Sequence, residues 1–196
     1  MEGDLGVANG LLQRLQESDV SIVRRDGAGL LRVGDAVLAL SDGRLASQRA
    51  REDGLRNLLL IDLALDYARA SRIGISWSAD TTETAREQAV ALLQRAGLKV
   101  TALADIPGLA VLRTVAMLAN EGADAVLQGV GTAADIDLAM CAGVNYPQGP
   151  LAWADRIGVG QVLRVLDNLQ RAYGEERYRP SLLLRRLDAE GRNFHD

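Results

Sequence analysis

One cysteine and one histidine are all that 196 residues carry. A lone Cys141 excludes an internal disulfide framework, and with only His195 beside it no multi-cysteine or multi-histidine metal centre can form within the chain. Aromatic residues make up only 4% of the chain, so any core must be built from aliphatic side chains. Lysine is nearly absent: 22 basic residues less Lys99 leave 21 arginines. No apolar run reaches the ~18 residues that span a bilayer. The start, Met1-Glu2-Gly3-Asp4, is acidic and has no apolar segment of a signal peptide. A soluble, cytoplasmic protein with no membrane partner is the expectation. A net charge of -4 and a pI near 5.1 argue against a general nucleic-acid binder, which shows a basic stripe.

Proline is missing from the first 105 residues. Pro107, Pro147, Pro150 and Pro180 all lie beyond them. Before that point the patterns alternate between strand and helix. After it every segment reads as helix. The shift places a boundary near Asp105-Ile106-Pro107-Gly108 and divides the chain into an α/β region over 1–105 and an all-α region over 106–196.

Within the α/β region, Leu11, Leu12 and Leu15 share one helical face. Residues 19–25 alternate weakly as a strand. Residues 35–40 form a better one, closed by Ser41-Asp42-Gly43. Leu58-Leu59-Leu60-Ile61 is continuously apolar, as a strand covered on both faces would be. Residues 72–78 and 99–104 are two more strands. Between them Asp80-Thr81-Thr82-Glu83 resembles a capping box, in which Asp80 accepts from the first helical turn, and Gly97 suits the helix's C-terminal cap. Strand, helix, strand at this spacing is a βαβ unit in a small sheet.

In the helical region, residues 109–127 are apolar over most of the circumference, which predicts a buried helix, either central or against another subunit. Residues 132–142 read as a short helix. Val162, Leu163, Leu166 and Leu169 stripe a longer one that Gly174 ends, and Pro180-Ser181 opens a last. The polar tail from Ala189 is expected to fray.

Gly129-Val130-Gly131-Thr132-Ala133-Ala134 matches the G-x-G-x-x-A dinucleotide fingerprint. That fingerprint needs a strand before it, and here a helix precedes. The plainer reading is a helix end at Gly129, a turn, and Thr132 capping the next helix with Asp135 three residues on. His195 at the chain's end reads as a solvated tail residue, and Cys141 as packing. Asp62, Asp66, Asp135, Asp137, Asp155 and Asp167 are scattered acids with no spacing that enforces a metal site, so solvated faces and caps account for them. Arg24-Arg25 and Arg185-Arg186 read as surface pairs. The loop Asn145-Tyr146-Pro147-Gln148-Gly149-Pro150-Leu151 is stiffened by two prolines, with Pro150 suited to the first turn of the next helix. Tyr146 and Trp153 set aromatic bulk beside it, as a packing corner or the lining of a binding site would.

With its neighbours, that loop resembles the C-terminal helical domain of the 3-hydroxyacyl-CoA dehydrogenases. The resembling pieces are Pro107-Gly108-Leu109-Ala110-Val111-Leu112-Arg113, Leu118-Ala119-Asn120-Glu121, Asp135-Ile136-Asp137-Leu138-Ala139-Met140, the stretch from Gly143 to Leu151 with Ala154-Asp155, and Tyr178-Arg179-Pro180-Ser181-Leu182-Leu183. They agree in order and spacing over residues 105–187, about two-fifths of the chain. More narrowly, the chain is similar to the C-terminal half of long bacterial members that carry this helical domain twice, among them the 3-hydroxyadipyl-CoA dehydrogenases of phenylacetate breakdown. The α/β region then resembles a degenerate Rossmann-like remnant.

The resemblance implies an NAD-dependent oxidoreductase that converts (S)-3-hydroxyacyl-CoA to 3-oxoacyl-CoA. It implies a helical domain that supplies homodimer contacts, through the helix at 109–128, and part of the acyl-CoA cleft, with Arg113, Tyr146 and Gln148 as candidate substrate contacts. The family's His–Glu base lies in an upstream cofactor domain. The Asn of its G-F-x-x-N-R motif is replaced here by Leu112, with Arg113 retained. No catalytic residue, metal ligand or bound cofactor is therefore expected on this chain. It is expected to share acyl-CoA with an upstream catalytic half. A stand-alone acyl-CoA-binding or dimerisation module is the alternative, and a dinucleotide binder using Gly129 and Gly131 a third.

Overall fold

A computed structural model describes residues 1–196, which fall into two compact units, Met1–Val111 and Leu112–Asp196. In the first unit, helix α1 (Asn9–Glu17) buries Leu11, Leu12 and Leu15, as their spacing requires. Residues 19–25 are not a strand. Asp19 adopts a left-handed φ of 58°, Val23 is 68% exposed, and only Arg25 bridges, to Glu2. Alternation without a neighbouring ladder leaves backbone groups unpaired, so the pattern alone does not make a strand.

Five strands form one sheet in the order β1-β2-β3-β4-β5. β1 (Leu31–Val33), unforeseen in the sequence, pairs antiparallel with β2 (Ala36–Leu40). Gly34, at φ 52°, makes the tight turn between them. β2 crosses through α2 (Ala46–Glu52) to the parallel β3 (Leu58–Ile61). β4 (Arg72–Trp77) runs antiparallel to β3 and crosses through α3 (Glu83–Arg95) to the parallel β5 (Lys99–Ala102). Two βαβ units are thus joined by one antiparallel seam.

Every residue of β3 is buried. Leu58 and Leu60 pack with Val37, Ala39, Ala46, Ala50 and Leu109 in one cluster. The pleat turns Leu38 and Leu59 to the opposite face, and α3 packs against β2. A fully buried leucine contributes roughly 1.5–3 kcal/mol, so this strand contributes strongly to the unit's stability. The N-cap of α3 is Thr82, not Asp80. Thr82 accepts from the Ala85 N–H, while Asp80 accepts the Ser78 hydroxyl.

The buried-type helix begins later than its apolar run. α4 spans Val111–Leu127, because Gly108 and Leu109 both sit at left-handed φ, 74° and 53°. Leu109 tolerates that conformation with its side chain locked in the core cluster.

The second unit is helical. α4 buries Leu112, Val115, Ala116, Ala119 and Ala123. α5 (Ala133–Val144), α6 (Pro150–Ile157), α7 (Val159–Tyr173) and α8 (Leu182–Glu190) follow. Pro150 occupies the first turn of α6, and the stripe Val162, Leu163, Leu166, Leu169 is buried on α7 until Gly174 stops it at φ 68°. Buried Asn120 pins the approach to α8: its amide donates to the Arg179 carbonyl (3.0 Å), and its Oδ1 accepts from the Ser181 N–H (2.7 Å). No helix is long and apolar enough to cross a membrane.

Candidate functional site

Three helices begin on residues that offer no side-chain cap, and each is completed by an aspartate from elsewhere. α2 follows Leu45, and the Asp105 carboxylate accepts from Ala46 N–H (2.6 Å) and Ser47 N–H (3.1 Å). At the start of α4, buried Asp62 accepts from Ala110 N–H (3.1 Å) and Val111 N–H (2.8 Å). α6 follows Gly149, and Asp137 accepts from Leu151 N–H and Ala152 N–H, both at 2.8 Å. Each carboxylate satisfies orphan N–H donors and meets the positive end of the helix dipole. Asp62 and Asp137 are thus caps, as expected of the scattered acids, but caps of helices remote from them in sequence. Gly149 is glycine because the Asp137 carboxylate lies where its Cβ would stand.

These caps decide how the chain meets a dinucleotide. A pyrophosphate needs free N–H groups at a strand-to-helix turn. After β2 those groups already hold Asp105. After β4 the turn carries the acid Asp80, and Thr82 closes the helix end. The glycine motif at residues 129–134 is shut as well: Thr132 and Asp135 form a complete capping box, and helix α4, not a strand, leads into it. The Thr132 hydroxyl and backbone hold the Asp135 carboxyl below the ordinary carboxylate range. The residues present do not fit a pyrophosphate at any of the three turns.

The candidate substrate residues occupy two places in the helical unit. Arg113 lies over the Tyr173 ring (5.1 Å) and the Tyr178 ring (5.5 Å), which stack on each other at 4.9 Å. Leu112, beside it in sequence, is fully buried. Tyr146 packs at 6.4 Å against buried Trp153, and Gln148 is half-buried in the same loop. No hydrogen bond or ring contact joins Arg113 to Tyr146 or Gln148. A cavity of about 630 Å³ opens elsewhere in the unit, between the end of α4, the start of α5, and α8 with the tail. None of the three candidates lines it.

The tail does not fray as expected. Phe194 N–H donates to Asp155 Oδ1 (2.8 Å), and His195 Nδ1 meets Asp155 Oδ2 at 2.7 Å. Its Nε2 lies 3.4 Å from Asp137 Oδ2. His195 is therefore an exposed tail residue, as expected, but one held by two aspartates. Asp137 and Asp155 lie 18 positions apart, and no local pattern marks them as neighbours of one imidazole. Of the remaining candidates, Cys141 is half-buried, Asp66 caps its own turn through Ala68 N–H, and Arg185 pairs with Asp167 at 2.7 Å.

α5 presents an apolar surface outward. Its single buried residue is Asp137, while Leu138 is 67% exposed and Val144 and Val130 are also exposed. Its other charge, Asp135, is engaged in the capping box, so the rest of the helix carries none.

Comparison with known proteins follows this division. Residues 38–107 match the 3-hydroxybutyryl-CoA dehydrogenase reduced Rossmann-fold domain, and residues 108–194 match the 3-hydroxyacyl-CoA dehydrogenase C-terminal domain. The chain is 40% identical over 163 residues to the 3-hydroxyadipyl-CoA dehydrogenase of Escherichia coli K12, covering 83% of this chain and 33% of that one. It is 33% identical over 123 residues to a probable 3-hydroxybutyryl-CoA dehydrogenase of Bacillus subtilis, covering 59% and 43%. The crystal structure of a 3-hydroxybutyryl-CoA dehydrogenase from Escherichia coli K12 superposes with a TM-score of 0.77 at 40% identity, over 83% of this chain and 33% of that one. The chain thus spans one third to under half the length of these relatives.

Proposed function

The chain belongs to the 3-hydroxyacyl-CoA dehydrogenase family, and from that premise we propose that it is a C-terminal segment of an enzyme oxidising (S)-3-hydroxyacyl-CoA to 3-oxoacyl-CoA with NAD. In this reading the segment walls part of the acyl-CoA cleft and contributes a homodimer contact. The base, the cofactor site and the carbonyl-activating donor belong to an upstream catalytic half.

The observation that carries the reading is the seating of Asp105 on the α2 N-terminus, in a unit of reduced Rossmann type. A carboxylate there repels the phosphates that such a turn would otherwise receive. Leu112 points the same way: it has no donor for a substrate carbonyl, and losing one such donor costs roughly 100- to 1000-fold in rate. Arg113, Tyr146 and Gln148 remain the proposed substrate contacts. Arg113 brings a cation already oriented by two tyrosines, suited to an anionic group such as a CoA phosphate.

Exposed Leu138 and Val144 of α5, with exposed Leu127 at the end of α4, support the dimer part of the proposal. Sedimentation equilibrium at micromolar concentration tests it. A dimer that Leu138→Asp converts to monomer is expected, and a wild-type monomer overturns it. For the cofactor part, titration into NADH is expected to leave the nucleotide's fluorescence unchanged. Saturable enhancement would place a dinucleotide site on this chain and defeat the division of labour.

A further inference from the structure

The two edges of the sheet are finished differently. At the β1 edge the chain covers itself. The Glu2 N–H donates to the Leu30 carbonyl (2.7 Å), the Leu30 N–H donates back to the Glu2 carbonyl (2.8 Å), and the Glu2 carboxylate meets the Arg32 guanidinium at 2.7 Å. An acidic residue thus closes a basic edge through its backbone and its side chain at once.

β5 ends the sheet on the other side. Its Lys99 N–H and the following Leu103 N–H donate inward, to the Ser71 carbonyl (2.9 Å) and the Ile75 carbonyl (2.8 Å). By the two-residue period of a strand, Val100 and Ala102 turn their N–H and C=O groups outward. Ala102 and Ala104 are exposed along this edge. Arg72 of β4 and Lys99 of β5 are register partners, and both are exposed. Register partners share a face of the sheet, so two cations stand side by side and repel. The Arg72 guanidinium is spent on the neutral Thr101 hydroxyl (2.7 Å). Lys99 has no carboxylate partner, and Asp105, beyond the strand's end, is held by the α2 N-terminus.

Unpaired backbone groups on a strand edge invite another strand, and charge selects which one. A second copy of β5 would bring two more cations to the same place, so the charges that discourage self-pairing favour an acidic strand. We propose that the β5 edge is a docking site for an extended acidic segment of a partner protein, added to the five-stranded sheet as one more strand. The segment's backbone pairs with Val100 and Ala102, and its carboxylates meet Arg72 and Lys99, as Glu2 meets Arg32 at the opposite edge. The pleat sets its pattern: acids on the face of Lys99, alternating with apolar residues on the face of Val100. This does not depend on the dehydrogenase reading.

The test is amide hydrogen exchange of the full chain by ¹⁵N NMR, with a blocked hexapeptide alternating glutamate and valine at millimolar concentration, and with its lysine-for-glutamate counterpart. The glutamate peptide is expected to slow exchange of the Val100 and Ala102 amides by roughly tenfold, the scale of one backbone hydrogen bond. The Leu103 amide, already bonded to Ile75, is expected to stay as it was. The lysine peptide is expected to change none of them. In the double variant Arg72→Glu, Lys99→Glu the preference is expected to reverse. No slowing with the glutamate peptide overturns the site, as does equal slowing by both peptides or a preference that survives the charge reversal. Resonance shifts at Arg72 and Lys99 without protection of Val100 and Ala102 overturn it too, because they mean bound charge and no added strand.

Discussion

Leu58–Ile61 and Ala133–Val144 are both strongly apolar, yet β3 is buried at every position while the one buried residue of α5 is Asp137. The difference lies in their neighbours. β3 has a strand on each side, and the sheet carries α2 against β3 and α3 against β2. α5 packs against α6, and what it turns inward there is a carboxylate that holds the α6 N-terminus. Apolar composition gives a segment something to bury. The number of elements around it decides whether burial happens within the chain.

The sharpest way to break the comparison is to truncate each segment. Leu60→Ala removes a fully buried side chain from β3 and is expected to destabilise by about 2–5 kcal/mol in denaturant unfolding. A loss near zero would mean that the sheet core is not where stability resides. Next comes the polar contact that α5 does bury. Gly149→Ala puts a methyl group where the Asp137 carboxylate sits, so the cap must move, and a loss of about 1–3 kcal/mol is expected. In Asp137→Gly the cap and the Cβ that also crowds Gly149 are both gone, so adding Gly149→Ala should cost little more, and a fully additive double mutant would sever the link between the two residues.

Leu138→Ala on the outer face of α5 should change stability by no more than ~0.5 kcal/mol at concentrations low enough to keep the chain monomeric. A loss as large as that of Leu60→Ala would show that α5 is covered after all. The smallest effect concerns charge. The Arg44 guanidinium holds the Asp53 carboxyl below its ordinary value of 3.8. A folded-state value lower than the unfolded one means stability that is present above pH 3.8 and lost as pH falls through the depressed range. Asp53→Asn should therefore flatten the acid limb of the stability profile and leave the neutral limb parallel to wild type.

Local signals in the sequence carried the parts of the fold that local physics determines. The strand segments of β2 and β4, the continuous apolar run of β3, the capping box of Thr132 and Asp135, Pro150 in the first turn of α6 and Gly174 after α7 all stand where residue type and spacing put them. α2 escaped because Leu45 gives no cap signal and its real cap, Asp105, is 59 residues away. Its inward face is also unusual: buried Arg49 sits beside Ala46 and Ala50, with its guanidinium on the Leu40 carbonyl. β1 escaped because three residues hold too little alternation to read. The start of α4 was misplaced because a left-handed Leu109 breaks an apolar run that has no breaker beyond Gly108. The junction of Asp137, Asp155 and His195 was illegible for the same reason as α2. Its members are brought together by the packing of α5, α6 and the tail, and spacing along the chain says nothing of that.

The most direct test of the account is NADH production from NAD by this chain alone, with (S)-3-hydroxybutyryl-CoA and with a hydroxyadipyl-CoA. No turnover above the uncatalysed rate is expected with either substrate. Sustained turnover, abolished by denaturing the protein, would mean that a cofactor site and a base exist on this chain. It would contradict the assignment of catalysis to an upstream half.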